Sequence, residues 1–200
     1  MGNDDTQVFD GIAHLKIVDV SCPNQLLGIM KWVMAGNKGL VYLRIMRAAS
    51  SVIYDKDFKF DFGKGYIVKE SPADKTVIIS SGRGVYEALA AAGELEKSGI
   101  AVGVVDMPSI DEALLLQLYD SGKLLVIAEQ NNGYIWSEFR KTLFKAKDSI
   151  DIKRLLPINT LDENGQPKFI HSATYTELIN QFGLSSGQLA ETVKQKISGR

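Results

Sequence analysis

Cysteine is nearly absent. Cys22 stands alone among 200 residues, which excludes an internal disulfide and any metal site built from several thiolates. Histidine is scarcely commoner: His14 and His171 lie far apart, and neither has a further ligand at metal-binding spacing. Neither sign of charge prevails. Lys and Arg number 23 against 24 Asp and Glu, a net charge of −1 with both signs interspersed. That leaves no basic face for nucleic acid and no acidic tail for an electrostatic partner. No apolar run approaches the roughly 20 residues that a membrane span needs, and the N-terminus has no signal-peptide layout. The expectation is a cytoplasmic protein with no nucleic-acid or membrane partner. Self-sufficient catalytic signatures are missing too. Cys22 precedes a proline, with no base marked out to activate its thiol. The segment SGRG at 81–84 lacks both the P-loop lysine and the three-glycine dinucleotide fingerprint.

What is present is organised around residues 75–107. The run 76–80, TVIIS, is dense in β-branched residues and reads as a strand buried on both faces. Small, turn-capable residues interrupt it at 81–84. Val85, Ala88, Leu89, Ala92 and Leu95 then recur at helical spacing, with charged residues on the other faces. Gly99 stands where a left-handed residue often closes a helix, and a second apolar run occupies 101–105. Strand, helix and strand in about thirty residues make a βαβ unit, whose right-handed crossover sets the two strands parallel. An apolar fraction of 45% supports a sizeable core, and the length suits one α/β domain, or one domain and part of another.

The flanks extend this pattern. Residues 1–50 contain a hint of helix at 9–15, a strand at 17–20, a helix starting at Pro23, a turn at 36–39 and a strand at 40–46. Two strands are too few for a parallel sheet buried on both faces, so this segment reads as an incomplete α/β unit. Residues 51–70 alternate charge with Tyr54, Phe58, Phe60 and Phe62, a linker pinned to the domain by its aromatics, entering a strand at 66–68. Beyond 107, Ser109 is the expected N-cap of a helix with Glu112 at its third position. A strand at 124–128, a helix at 135–146, a strand at 152–158, a turn at 162–167 and two closing helices at 174–182 and 185–197 follow.

Three features bear on binding. Glu129, Gln130, Asn131 and Asn132 follow a strand, where ligands of open α/β sheets sit; a loop of solvated amides is the alternative. Gly82 and Gly84 permit tight strand-to-helix packing. Arg44 and Arg47, three apart at the end of a strand, could hold a phosphate bidentately or pair with a neighbouring carboxylate.

The ordered set of segments resembles the C-terminal part of the transketolase family of thiamine-diphosphate enzymes. TQVFDGIAHLKIVDVSCPNQ resembles the stretch where a Gly-Pro-Thr-His-Gln segment leads through a helix and strand to a Pro-Ala-Asp turn. LVYLRIMR resembles the strand ending in the family's arginine pair. FDFGKGYIVKES, TVIISSGRGVYEALAAAGELEKSGIAVGVVDMPSID and LLVIAEQNNG resemble successive parts of its C-terminal domain. The resemblance implies an α/β fold, a three-layer, mostly parallel sheet with helices on both faces. It divides the chain into the end of a pyrimidine-binding domain (1–50), a linker and first strand (51–70) and a C-terminal-type domain (71–200). It implies transfer of two-carbon ketol units between sugar phosphates, with thiamine diphosphate and Mg2+ bound by portions of the intact enzyme outside this chain. The chain alone is then expected to be inactive, without catalytic, cofactor or metal residues of its own, serving architecture and contacts within a homodimer. Its partners would be the remaining enzyme domains or a larger subunit. Arg47 falls on the arginine that binds the substrate's phosphate, and Thr6 on the family's substrate-binding histidine. A non-catalytic partner-binding module, deoxyxylulose-phosphate synthase and the β-subunit of a 2-oxo-acid dehydrogenase are the alternatives.

Overall fold

The computed structural model describes residues 3–37, 39–46, 50–70 and 72–199. Apolar runs at 76–80, 102–106 and 124–128 become the central strands β4 (Thr76–Ser80), β5 (Val102–Asp106) and β6 (Leu124–Ala128) of a five-stranded sheet. Its order is β3-β5-β4-β6-β7, with β3 (Tyr66–Lys69) and β7 (Leu155–Ile158) at the edges. Four strands are parallel, and β3 runs antiparallel to β5 with a bulge between Ile67 and Lys69.

Continuous apolar runs form here because both faces are covered. Ile78, Val104 and Val126 point to one side, where Ala88, Ala91, Ala92 and Leu95 of α3 (Gly84–Lys97) meet Ile179 of α6 (Tyr175–Gln181) and Leu189, Ala190 and Val193 of α7 (Ser186–Ile197). Val77, Ile79, Val105, Leu125 and Ile127 point to the other. There they meet Leu115 and Leu118 of α4 (Glu112–Asp120) and Ile135, Phe139 and Leu143 of α5 (Tyr134–Ala146). The three-layer α/β architecture is therefore present.

A smaller unit precedes it. α1 (Asp5–Asp10), β1 (Lys16–Asp19), α2 (Pro23–Met34) and β2 (Val41–Arg44) build a parallel two-stranded sheet with its own core of Val18, Val20, Ile29 and Phe60. The crossing between the units is held by ring contacts: Tyr54 to Phe58 at 4.1 Å, Phe58 to Tyr66 at 4.8 Å and Trp32 to Phe60 at 5.6 Å between centroids.

Two expectations are corrected. Asp111, not Ser109, caps α4. Asp111 is extended and its Oδ1 accepts the Leu114 N–H at 3.0 Å, while Ser109 is buried with its Oγ accepting the Gly63 N–H at 2.8 Å. The strand expected over 152–158 begins with a 3-10 turn (Ile152–Arg154), capped by the Asp151 carboxylate, and only Leu155–Ile158 pairs with β6.

Candidate functional site

The C-terminal ends of β1, β2, β4, β5 and β6 converge where the two units meet, and they carry polar residues. Arg44, last residue of β2, donates from Nη1 to Asp19 at 2.7 Å and from Nε to Asp5 at 3.1 Å. Burial works against the guanidinium's charge, but Asp19 and Asp5 more than offset it and its pKa is raised. Tyr42 also donates to Asp5, and burial with that carboxylate pushes its phenol up to about 12. Asp19 accepts from Ser81 Oγ at 2.7 Å, and its amide donates to the Pro108 carbonyl at 2.8 Å. Gly82 makes this approach possible. Its φ is +53°, and a Cβ there would lie 2.5 Å from an Asp19 oxygen. Gly84, starting α3, has Ser80 Oγ in the place of a Cβ.

Asp106, last residue of β5, is fully buried. Its Oδ2 is in hydrogen-bond contact with Ser21 Oγ at 2.7 Å, Gln25 Nε2 at 2.9 Å and Tyr54 OH at 2.7 Å. These partners come from the end of β1, from α2 and from the crossing. Oδ1 is buried and has no partner among the described residues. Burial pushes the Asp106 carboxyl up to about 7, against the opposing effect of its donors. Burial, then Asp106, raises the Tyr54 phenol well above its ordinary range.

The loop after β6 is not a set of solvated amides. Glu129, Gln130, Asn131 and Asn132 are all buried. Glu129 accepts the N–H groups of Ile135 at 2.7 Å and Trp136 at 2.9 Å, so its carboxylate closes the start of α5. Burial raises its pKa to about 7, although the two amides pull it down. Asn131 Oδ1 accepts from the Tyr134 amide, the Asn132 amide donates to the Asn3 carbonyl, and Gln130 Nε2 donates to Tyr175 OH at 2.7 Å. All four residues serve the loop and the junction, a role signalled in sequence only by their position after a strand.

Arg47 lies outside the described residues. Arg44 has taken the carboxylate-pairing role, so no arginine-pair phosphate clamp can be described. Thr6 is buried, its Oγ1 without a partner among the described residues. Cys22 is a buried thiol at the N-cap of α2. It lines a cavity of about 400 Å3 with Val20, Ser21, Leu26, Ile45 and others; Met46 and Ser50, the residues flanking 47–49 in the chain, line it too. His14 is exposed and His171 packs edge-on against Phe169. Among the described residues no three His, Cys, Asp or Glu side chains could hold a metal ion, and no helix is long and apolar enough to cross a membrane.

Comparison with known proteins gives one consistent answer. Residues 63–188 match the family model described as "Transketolase, C-terminal domain". The chain is 26% identical over 172 residues to transketolase-like protein 2 of Mus musculus, covering 83% of this chain and 26% of that protein. It is 27% identical over 199 residues to a transketolase family protein of Sinorhizobium fredii, covering 96% of this chain and 55% of that one. A split-gene transketolase solved as an inactive β4 tetramer superposes with a TM-score of 0.84 at 23% identity, over 99% of this chain and 63% of that chain. The chain thus spans from about a quarter to just under two thirds of the length of these relatives.

Proposed function

The chain belongs to the transketolase C-terminal domain family, and from that premise we propose that it is the C-terminal portion of a thiamine-diphosphate enzyme transferring two-carbon ketol units between sugar phosphates. In this reading residues 1–50 are the end of a pyrimidine-binding domain, 51–70 the linker and first strand, and 71–200 the C-terminal-type domain. Arg47, outside the described residues, would bind the substrate's phosphate. One observation carries the reading. β1 and β2 form a parallel pair that no other strand among the described residues extends, and such a sheet is completed by further strands. The partner is therefore the remainder of the enzyme, on the same polypeptide or on a larger subunit, and the intact enzyme is a homodimer. The split-gene relative supports the two-chain form.

Thiamine diphosphate would supply the carbanion chemistry when bound, with Mg2+ holding its diphosphate. The described residues do not fit that pair. Asp106 and Glu129, the two fully buried carboxylates, are engaged by Ser21, Gln25 and Tyr54 and by the α5 amides. In this reading the cofactor's ligands come from the partner.

Calorimetry of this chain with thiamine diphosphate and Mg2+ should give no binding heat, and tight binding by the chain alone would sink the reading. Adding the remainder of the enzyme should yield ketol transfer from xylulose phosphate to ribose phosphate. Turnover of pyruvate in its place would move the assignment to a deoxyxylulose-phosphate synthase or a 2-oxo-acid dehydrogenase.

A further inference from the structure

We propose that the N-terminal end of the five-stranded sheet carries an anion site that takes a small aliphatic phosphate monoester, remote from the seam where the two units meet. The inference is independent of the activity proposed above. Thr76 opens β4 and pairs in register with Leu124, which opens β6. The seam around Asp106 lies at the other end of these strands, about 13 Å away at the usual rise per residue. Alternation puts Thr76 on the face of Ile78, the one covered by α3 and α7. Both helices end beside these first strand residues. α3 stops at Lys97, the chain turns back through Gly99 with φ +76°, and α7 stops at Ile197. Between the helix ends and the strands is an open cavity of about 460 Å3, within the range of small-molecule sites.

The lining carries one sign of charge. Lys75, Lys153, Arg154 and Lys196 surround the cavity, and no acidic side chain among the described residues lines it, although the chain as a whole is almost neutral. Asp151 engages Arg154 at 3.1 Å. Lys75, Lys153 and Lys196 enter no ion pair among the described residues. The carbonyls that end the two helices have other partners: Leu95 and Glu96 accept the Ile100 and Gly99 amides, and Lys194 and Lys196 accept those of Ser198 and Gly199. A second observation does not depend on charge. Thr76 lines the cavity and is 1% exposed, and its Oγ1 is buried without a partner among the described residues. Folding penalises such a hydroxyl unless something supplies the missing bond. A phosphate oxygen would accept from it, while its two charges are balanced by the three lysines; a singly charged carboxylate would leave more of them unmatched. Ile100, Leu124 and Ile197 give the cavity apolar walls, and no lining residue among those described is aromatic. The site therefore offers contact to an alkyl chain and no platform on which a base could stack.

The test titrates the full chain, 15N-labelled, with butyl phosphate. Saturable shifts should appear at the amides of 73–76, 99–101, 124, 153–154 and 196–197, and the amides around Asp106 should stay still. Inorganic phosphate should bind about tenfold more weakly, because it has no chain to bury, and added salt should weaken both. Replacing both exposed lysines, Lys75→Ala with Lys196→Ala, should lower the affinity about tenfold or more. Thr76→Val should weaken binding about threefold or more while its urea midpoint stays at or above that of the parent chain, since a methyl replaces a hydroxyl that had no partner. The proposal is overturned by the absence of saturable shifts at these amides, by equal affinity for the two phosphates, by unchanged binding in either variant, or by a lowered urea midpoint in Thr76→Val. Recruitment to phosphatidylcholine vesicles containing phosphatidic acid, with no response to butyl phosphate, would overturn it in favour of a membrane headgroup.

Discussion

Glu129 occupies a position where sequence pointed to a ligand, and the structure gives it a different duty. Its carboxylate satisfies two N-terminal amides of α5 inside the protein. Glu129→Ala should lower stability by about 1–3 kcal/mol, because both donors are left buried without a partner; urea unfolding measures it. The pH dependence follows from the raised carboxyl. The native state binds this proton up to about pH 7, while the unfolded chain releases it near 4.3. Stability is thus fully present below the unfolded value and lost as pH rises through 7, by at most about 1.4 kcal/mol per pH unit for the group. Urea midpoints from pH 5 to pH 8 should fall, and Glu129→Gln should flatten part of that slope. Gly82 offers a second single-residue test. Gly82→Ala would set a methyl on the Asp19 carboxylate in a left-handed conformation, breaking the Ser81 and Arg44 contacts for about 1–3 kcal/mol. The SGRG motif made tight strand-to-helix packing legible at Gly84, which abuts Ser80, but not the approach of Gly82 to Asp19 of the smaller unit. Asp106 was not legible, since an acid ending a strand looks the same whether solvent or a second unit lies beyond it.

At the scale of elements, the β-branched runs predicted β4, β5 and β6 closely because strands covered on both faces must be apolar throughout. α3 was equally legible, and its alanines have a purpose. Ala88, Ala91 and Ala92 are fully buried between the sheet and the closing helices, so Ala91→Leu should overpack this layer and cost about 1–3 kcal/mol in thermal or chemical denaturation. α6 carries a capping box, Thr174 with Glu177, and Thr174→Ala should remove about 1 kcal/mol. The direction of β3 could not be read from its residues, because alternation fixes which side chains share a face and says nothing of chain sense. The α4 cap went to Asp111 because Ser109 is committed to the backbone of the preceding crossing, a tertiary contact no local pattern encodes.

On the scale of the whole molecule, two cores flank one sheet and a third sits apart beneath β1 and β2. The units are joined by polar contacts spanning 52 to 85 positions, Tyr54 and Ser21 to Asp106, and such separations lie outside any window of periodicity. A chain beginning at residue 61 should therefore keep its fold, whereas residues 1–60 alone should remain unstructured by circular dichroism. Two strands and one small core do not repay the entropy of ordering sixty residues.

The edges of the five-stranded sheet have a consequence for how copies of this molecule meet. β3 bends at its bulge and ends in Lys69, which reaches across to Glu96 at 2.6 Å. β7 carries Pro157, which has no N–H to offer. Both margins are thus poor templates for a foreign strand, and the sheet resists growing into ribbons or fibres through its ends. Backbone-to-backbone polymerisation, where it occurs, must start from the two strands of the smaller unit, so covering those strands should be what keeps concentrated solutions of the chain clear.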